Sequence, residues 1–175
     1  NQDNVCQLFK DHPRWYRAAY RSQDKWGVPI SVQMAIIRYE SHFRANAKPR
    51  HKLFGFIPWV PASSANGYTQ ALEGTWREYL QATHQSSASR ANFSNATDFI
   101  GWYVSSLHRT LGLSKEDAES IYLAYHEGAT GYQKGYYHDK PWLVKKAKLV
   151  QKQATTYHRQ LVVCHKSLPS KHSWF

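Results

Sequence analysis

Cysteine is almost absent from this chain, with two in 175 residues, and acidic side chains are scarce, 12 against 23 Lys and Arg. Two cysteines allow one disulfide at most. The shortage of acids leaves a net charge of +11 before the 10 His are counted. That balance favours a polyanionic partner: nucleic acid, an anionic membrane, or a wall polymer carrying carboxylates. Charge alone does not choose among them. The cations are spread along the chain; only Lys145-Lys146-Ala147-Lys148 is dense, and a solvated helix face accounts for that run. No apolar stretch reaches the ~18 residues of a membrane span. Internal repeats, heptad seams, low-complexity blocks and sustained strand-like alternation are all missing.

Several chemistries lose their usual signatures as well. There is no H-E-x-x-H or paired-ligand spacing among the histidines, so no metal or other cofactor is expected. Gly-x-Ser-x-Gly and a Gly-rich phosphate loop do not occur. Nucleic-acid binding would rest on charge and aromatics, with no recognisable module, so none is expected.

Helical signals are frequent. Asp11-His12-Pro13 places Pro in a first turn and opens a helix through Lys25, ended by Gly27 and Pro29. Ser31 is the expected cap of the next, which carries Glu40. A third helix runs from Gly74 to His84 and a fourth from Thr97 to Leu111, stopped by Gly112. Ser114-Lys115-Glu116-Asp117 has capping-box spacing and opens a fifth, to about His126. Asp139-Lys140-Pro141 starts a long last helix, Trp142 to Leu161, with Leu143, Ala147, Val150, Ala154, Tyr157 and Leu161 on one face. The expectation is one all-α domain over residues 1–164, with 165–175 a loose tail. Between Ala45 and Ala65 a Pro- and aromatic-rich segment, centred on 49–63, is expected to be an ordered loop packed over the domain.

Cys6 and Cys164 sit near opposite ends, just outside the first and last helices as read here. In a cytosolic protein they are two unrelated thiols; in an exported one they form a bridge joining the termini. Their placement favours the bridge. The chain begins with Asn1 rather than Met, so a signal segment upstream stays open.

One carboxylate stands out. Glu40, in Tyr39-Glu40-Ser41-His42-Phe43, follows the apolar run Val32-Gln33-Met34-Ala35-Ile36-Ile37. A Glu delivered among apolar and aromatic neighbours can stay protonated near neutral pH, as a general acid requires. Taken singly, it could be an ordinary exposed helix residue. A second carboxylate for a two-carboxylate glycosidase is not evident nearby, since Glu73 and Glu78 lie on a separate helix. Gln70, after Gly67, is a turn residue or an amide presented to a sugar. Most of the 12 Tyr and 7 Trp are core residues by default, although sugar sites also use ring faces and phenol hydroxyls.

Four segments in order resemble the catalytic domain of lytic transglycosylases, which shares its lysozyme-like fold with goose-type lysozymes. The family's E-S-x-F is matched by Glu40-Ser41-His42-Phe43, and its G-L-M-Q by Gly67-Tyr68-Thr69-Gln70, followed by Thr75-Trp76. Its A-Y-N-A-G is matched by Ala124-Tyr125-His126-Glu127-Gly128, and its late E-T-x-x-Y loosely by Gln153-Ala154-Thr155-Thr156-Tyr157. The departures, His126 and Glu127 for Asn and Ala and Tyr68-Thr69 for Leu-Met, look like those of a divergent proteobacterial branch. The resemblance implies an all-α, lysozyme-like peptidoglycan lytic transglycosylase acting on glycan strands with no cofactor. Glu40 would be its single acid and base, and cleavage between N-acetylmuramic acid and N-acetylglucosamine would leave a 1,6-anhydro end. Ser41, Phe43, Tyr68, Gln70, Tyr125, His126, Glu127, Tyr132 and Tyr157 would bind sugar or steady the Glu. His126 and Glu127 are expected to emerge at a helix end beside Glu40, with Glu127 raising the His126 pKa. A monomer in the periplasm or envelope of a Gram-negative bacterium is implied, with an outer-membrane lipid anchor as an option. A hydrolysing goose-type-like lysozyme and a non-catalytic binder of peptidoglycan or another polyanion stay open as alternatives.

Overall fold

The computed structural model describes residues 1–49 and 64–168. Most of the 49–63 segment and residues 169–175 of the tail therefore lie outside the described residues. The described residues form seven α-helices, in order α1 Val5–Asp11, α2 Pro13–Trp26, α3 Ile30–Ser41, α4 Glu73–Ala82, α5 Phe93–Leu111, α6 Ala118–Gln133 and α7 Pro141–Cys164. No strand occurs among the described residues; pairing is limited to one bridge, Asn66 with Ala71. The all-α expectation holds.

Helix α3 is the hub. Its residues Ile30 to Ile37 are buried without a break, so it shows no polar stripe and needs neighbours on every side. It lies against α7 and also meets α2, α5 and α6, while α2 packs on α5 and α6 on α7. The face read on the last helix is the one buried: Leu143, Ala147, Val150, Ala154 and Tyr157. Gln33 is fully buried inside the hub, where its Nε2 donates to the carbonyls of Ala19 at 3.1 Å and Val28 at 3.0 Å. It thereby fixes the α2–α3 turn.

Several local expectations need correction. A short first helix, α1, not expected, ends at Asp11. Asn4 caps it, accepting from the Gln7 amide at 3.1 Å, and this Asn-x-x-Gln signal was legible. Ser31 is no cap: α3 begins directly after Pro29, Ser31 is buried, and Gln23 Oε1 takes the Ile30 amide at 2.9 Å. Asn92, not Thr97, opens α5 by accepting from Asn95 N at 2.9 Å. Ser114 only accepts from the Glu116 amide in a turn, and the cap of α6 is Asp117, bonded to Ser120 N at 3.1 Å. The first helical segment of α6 does end next to His126, at Gly128, whose φ of 76° and ψ of 165° suit glycine alone, and a second segment, not expected, runs on to Gln133. Cys6 and Cys164 lie inside α1 and at the last residue of α7, and they are joined by a disulfide. The chain ends are also tied by Gln160, which accepts from Val5 N at 2.8 Å and donates to Asp3 O at 2.9 Å. After α7, His165–Ser167 form a 3-10 turn and Leu168 is buried.

Candidate active site

Glu40 sits in the last turn of α3, half-buried but in dense surroundings. Burial raises its carboxyl pKa above the ordinary value. Two groups act in the opposite direction without cancelling that rise: a hydrogen bond from the Tyr122 hydroxyl and the positive charge of Lys146. Both were missed in the sequence. Tyr122 lies one turn before Tyr125 on α6, so the i, i+3 spacing could have revealed it. Lys146 was hidden in the cationic run, yet its Nζ lies 5.8 Å from the centroid of the Tyr122 ring. Tyr122 is 1% exposed and interacts with both the carboxylate and the ammonium.

Tyr125 comes from the same face of α6. Its own pKa is raised well above normal, first by burial and then by the Glu40 charge, which places its phenol near that carboxylate. The ring meets Tyr103 edge-on at 5.2 Å, and the hydroxyl donates to the Thr69 carbonyl at 2.6 Å. Thr69 belongs to a tight loop closed by the Asn66–Ala71 bridge. Gly67 is needed there: its φ is 79°, and a Cβ would lie 2.2 Å from the Arg90 carbonyl oxygen. Arg90 Nη1 holds the loop ends by donating to Ser64 O at 2.7 Å and Ala71 O at 2.9 Å.

The other expected site residues divide by what their polar atoms do. Gln70 is left-handed at φ 54°, and its Nε2 donates to Ala47 O at 2.7 Å and Gly67 O at 2.9 Å. Its amide nitrogen braces the loop. Ser41 is fully buried, with Oγ donating to Ile37 O at 3.1 Å, so it finishes α3. Phe43 turns back on a left-handed backbone and stacks on Trp15 at 5.6 Å. Tyr68 is buried edge-on to Phe93 at 5.1 Å. Tyr157 is fully buried and its hydroxyl donates to Gln2 O beside Arg38, where it locks the N-terminal segment. Tyr132 stacks on Tyr137 at 5.4 Å, past the Gly128 break.

His126 and Glu127 are, as expected, the last two residues of a helical segment, the one that Gly128 ends, but only His126 is open to solvent. Both precede the break, and their side chains are 39% and 6% exposed. Glu127 grips Lys140, whose Nζ is 2.8 Å from Oε1 and 3.0 Å from Oε2. His126 Nδ1 is 3.8 Å from Glu127 Oε1, and its ring meets the half-exposed Trp142 edge-on at 5.3 Å. The expected rise in its pKa is reversed. Burial lowers it, Lys140 and Lys146 add to that, and Glu127 only partly opposes them. Lys146 acts on both His126 and Glu40, so one cation links the two positions.

Among the described residues, no group of three His, Cys, Asp or Glu side chains is gathered closely enough to hold a metal ion. Three surface cavities among those residues lie away from Glu40. The arrangement can hold one carboxylic acid ready to give a proton, with phenols and an ammonium ready to receive the carboxylate. A family model described as "Transglycosylase SLT domain" matches residues 1–164. No curated protein and no solved structure matches.

Proposed function

The chain belongs to the transglycosylase SLT domain family, and from that membership we propose that it is a peptidoglycan lytic transglycosylase with Glu40 as its only acid and base. The observation that carries this is a single carboxyl at the end of a buried helix, its pKa raised by burial and its orientation held by Tyr122. No other carboxylate is among the groups that act on it. A one-carboxylate mechanism needs a nucleophile from the substrate, and the N-acetyl group supplies one.

Protonated Glu40 gives its proton to the oxygen between N-acetylmuramic acid and N-acetylglucosamine. As the C1–O bond breaks, the N-acetyl carbonyl oxygen of the muramic acid bonds to C1, closing an oxazolinium ring. Glu40, now a carboxylate, takes the proton of the 6-hydroxyl. O6 attacks C1, the oxazolinium ring opens, and a 1,6-anhydro end is left with Glu40 protonated again. Tyr122 and Lys146 stabilise the carboxylate between the two proton transfers. Tyr125 and the Thr69 loop set the wall of the cleft, and His126 and Trp142 offer it a neutral donor or acceptor and a ring face. Among the described residues no helix is long and apolar enough to cross a membrane. The disulfide and the net charge of +11 support an exported protein in the cell envelope, anchored there or free.

Digestion of purified sacculi with mass spectrometry of the released muropeptides tests the reading. Anhydro ends, one water lighter than hydrolysed ones, are expected, and Glu40→Gln should release none. Reducing ends instead would make the protein a hydrolase.

A further inference from the structure

A polar cavity of about 550 Å³, with Tyr68 in its wall and Glu40 outside its lining, opens between α2 and the start of α5. Helix α2 contributes Arg14, Arg17 and Arg21, and α5 begins there with Asn92, Phe93 and Ser94. No acidic side chain lines it among the described residues. The three arginines recur at i, i+3 and i+7, on one face of α2 and over ~10 Å of its length. Arg21 Nη2 donates to Ser94 Oγ at 3.1 Å, which holds one guanidinium at the rim. The first turn of the 19-residue α5 adds the positive end of a helix dipole to the same space.

Three aromatic side chains, Trp15, Tyr68 and Phe93, line the cavity and pack on one another. Trp15 is stacked on Phe93 at 4.4 Å and on His12 at 3.9 Å, and Tyr68 closes edge-on to Phe93. A cavity lined by three arginines and by aromatic rings suits a ligand whose carboxylates are spaced along a body with apolar parts. A polyphosphate would bring denser charge and nothing for the rings to touch.

We propose that this cavity binds a carboxylate-bearing peptide, as the peptide stems of the wall polymer are. That identity rests on the function proposed above. Tyr68 joins the cavity to the catalytic side, because the next residue, Thr69, accepts the Tyr125 hydroxyl. A peptide held here anchors the substrate beyond the sugars at Glu40 and bears on the loop that walls the cleft.

The test uses stem peptides released from sacculi by an amidase, added to the full chain carrying Glu40→Gln so that no turnover intervenes. Binding is read by calorimetry and by NMR shifts at Trp15 and Phe93. Combining Arg14→Gln, Arg17→Gln and Arg21→Gln should weaken it at least tenfold, and the same peptides with amidated carboxylates should bind as weakly. The matching triple Lys variant keeps the charge but loses the forks, so it should fall between; it carries the test if the Gln variant does not fold. Equal affinity in all forms, or no binding by the wild-type cavity, overturns the proposal. Retention of peptide affinity with loss of binding to phosphatidylglycerol vesicles assigns the cavity to a membrane surface and also overturns it. Anhydro products from sacculi with no peptide binding would defeat this inference alone; peptide binding without anhydro products would defeat the proposed reaction alone.

Discussion

The hydroxyl of Tyr125 donates to the backbone carbonyl of Thr69 at 2.6 Å, across 56 residues of chain. This bond fastens the loop of Gly67 and Gln70 to α6. Thr69 is fully buried, so the carbonyl has little else to bond with if the phenol is lost. Tyr125→Phe should therefore cost about 1–3 kcal/mol in stability, from an unsatisfied buried acceptor, and lower turnover by loosening the loop. Chemical denaturation and a muropeptide assay check this; wild-type values in both would remove the bond from the argument.

Glu40→Gln should lower turnover by at least ~10²–10⁴-fold while the helical circular dichroism stays intact. The same substitution should stabilise the protein. Burial raises the Glu40 pKa in the folded state, so the folded chain binds its proton more tightly than the unfolded one. Stability is then lost as pH rises from the unfolded value toward the raised folded one, at about 1.4 kcal/mol per unit of elevation. Gln cannot ionise and escapes the loss. Melting temperatures of the two proteins should coincide below about pH 4 and separate as pH rises above it, the variant higher. A pH-independent difference would show that Glu40 is not held in its acid form by the fold.

His126 should be neutral throughout the physiological range, because burial and the Lys140 and Lys146 charges all lower its pKa. Its protonation is resisted by the fold, so stability falls as pH drops below the unfolded value of about 6.5. An NMR titration should find His126 titrating below that value, and His126→Asn should leave the activity profile near neutral pH unchanged. Titration above it would mean that Glu127 governs the pair after all.

Lys140→Met should destabilise the protein by roughly 2–3 kcal/mol, less than the ~3–5 kcal/mol for breaking a fully buried pair, because the Lys140 side chain is 37% exposed. Glu127, 6% exposed, would be left with an uncompensated charge. Adding Glu127→Gln should restore part of the loss. Additive effects in that double-mutant cycle would show that the 2.8 Å pair does not couple the two residues.

Replacing Cys6 and Cys164 together by Ser should cost up to ~4–5 kcal/mol by the chain-entropy argument for a loop spanning 158 residues. Amide exchange should speed up first in α1, whose seven residues are too few to persist alone. Two titratable thiols in oxidised wild-type protein would contradict the bridge.

Periodicity and stop signals determined the helical class and most helix positions, because the apolar face of α7 and the glycines after α2 and α5 act locally. The run before Glu40 likewise announced a carboxyl in apolar company. Caps were read less well: where Ser, Asn and Asp compete within a few residues, the packing of the whole helix selects one, as with Asp117 over Ser114. Only the tertiary structure could bring Tyr122 and Lys146 to Glu40, since they come from two other helices. It also decided that Gln70 and Ser41 direct hydrogen-bond donors to backbone carbonyls, and that Tyr157 locks the N-terminus. The direction of the His126 shift was beyond the sequence for the same reason. Glu127 is its neighbour in the chain, but burial and two lysines from the start of α7 outweigh that neighbour, and burial is a property of the packed molecule.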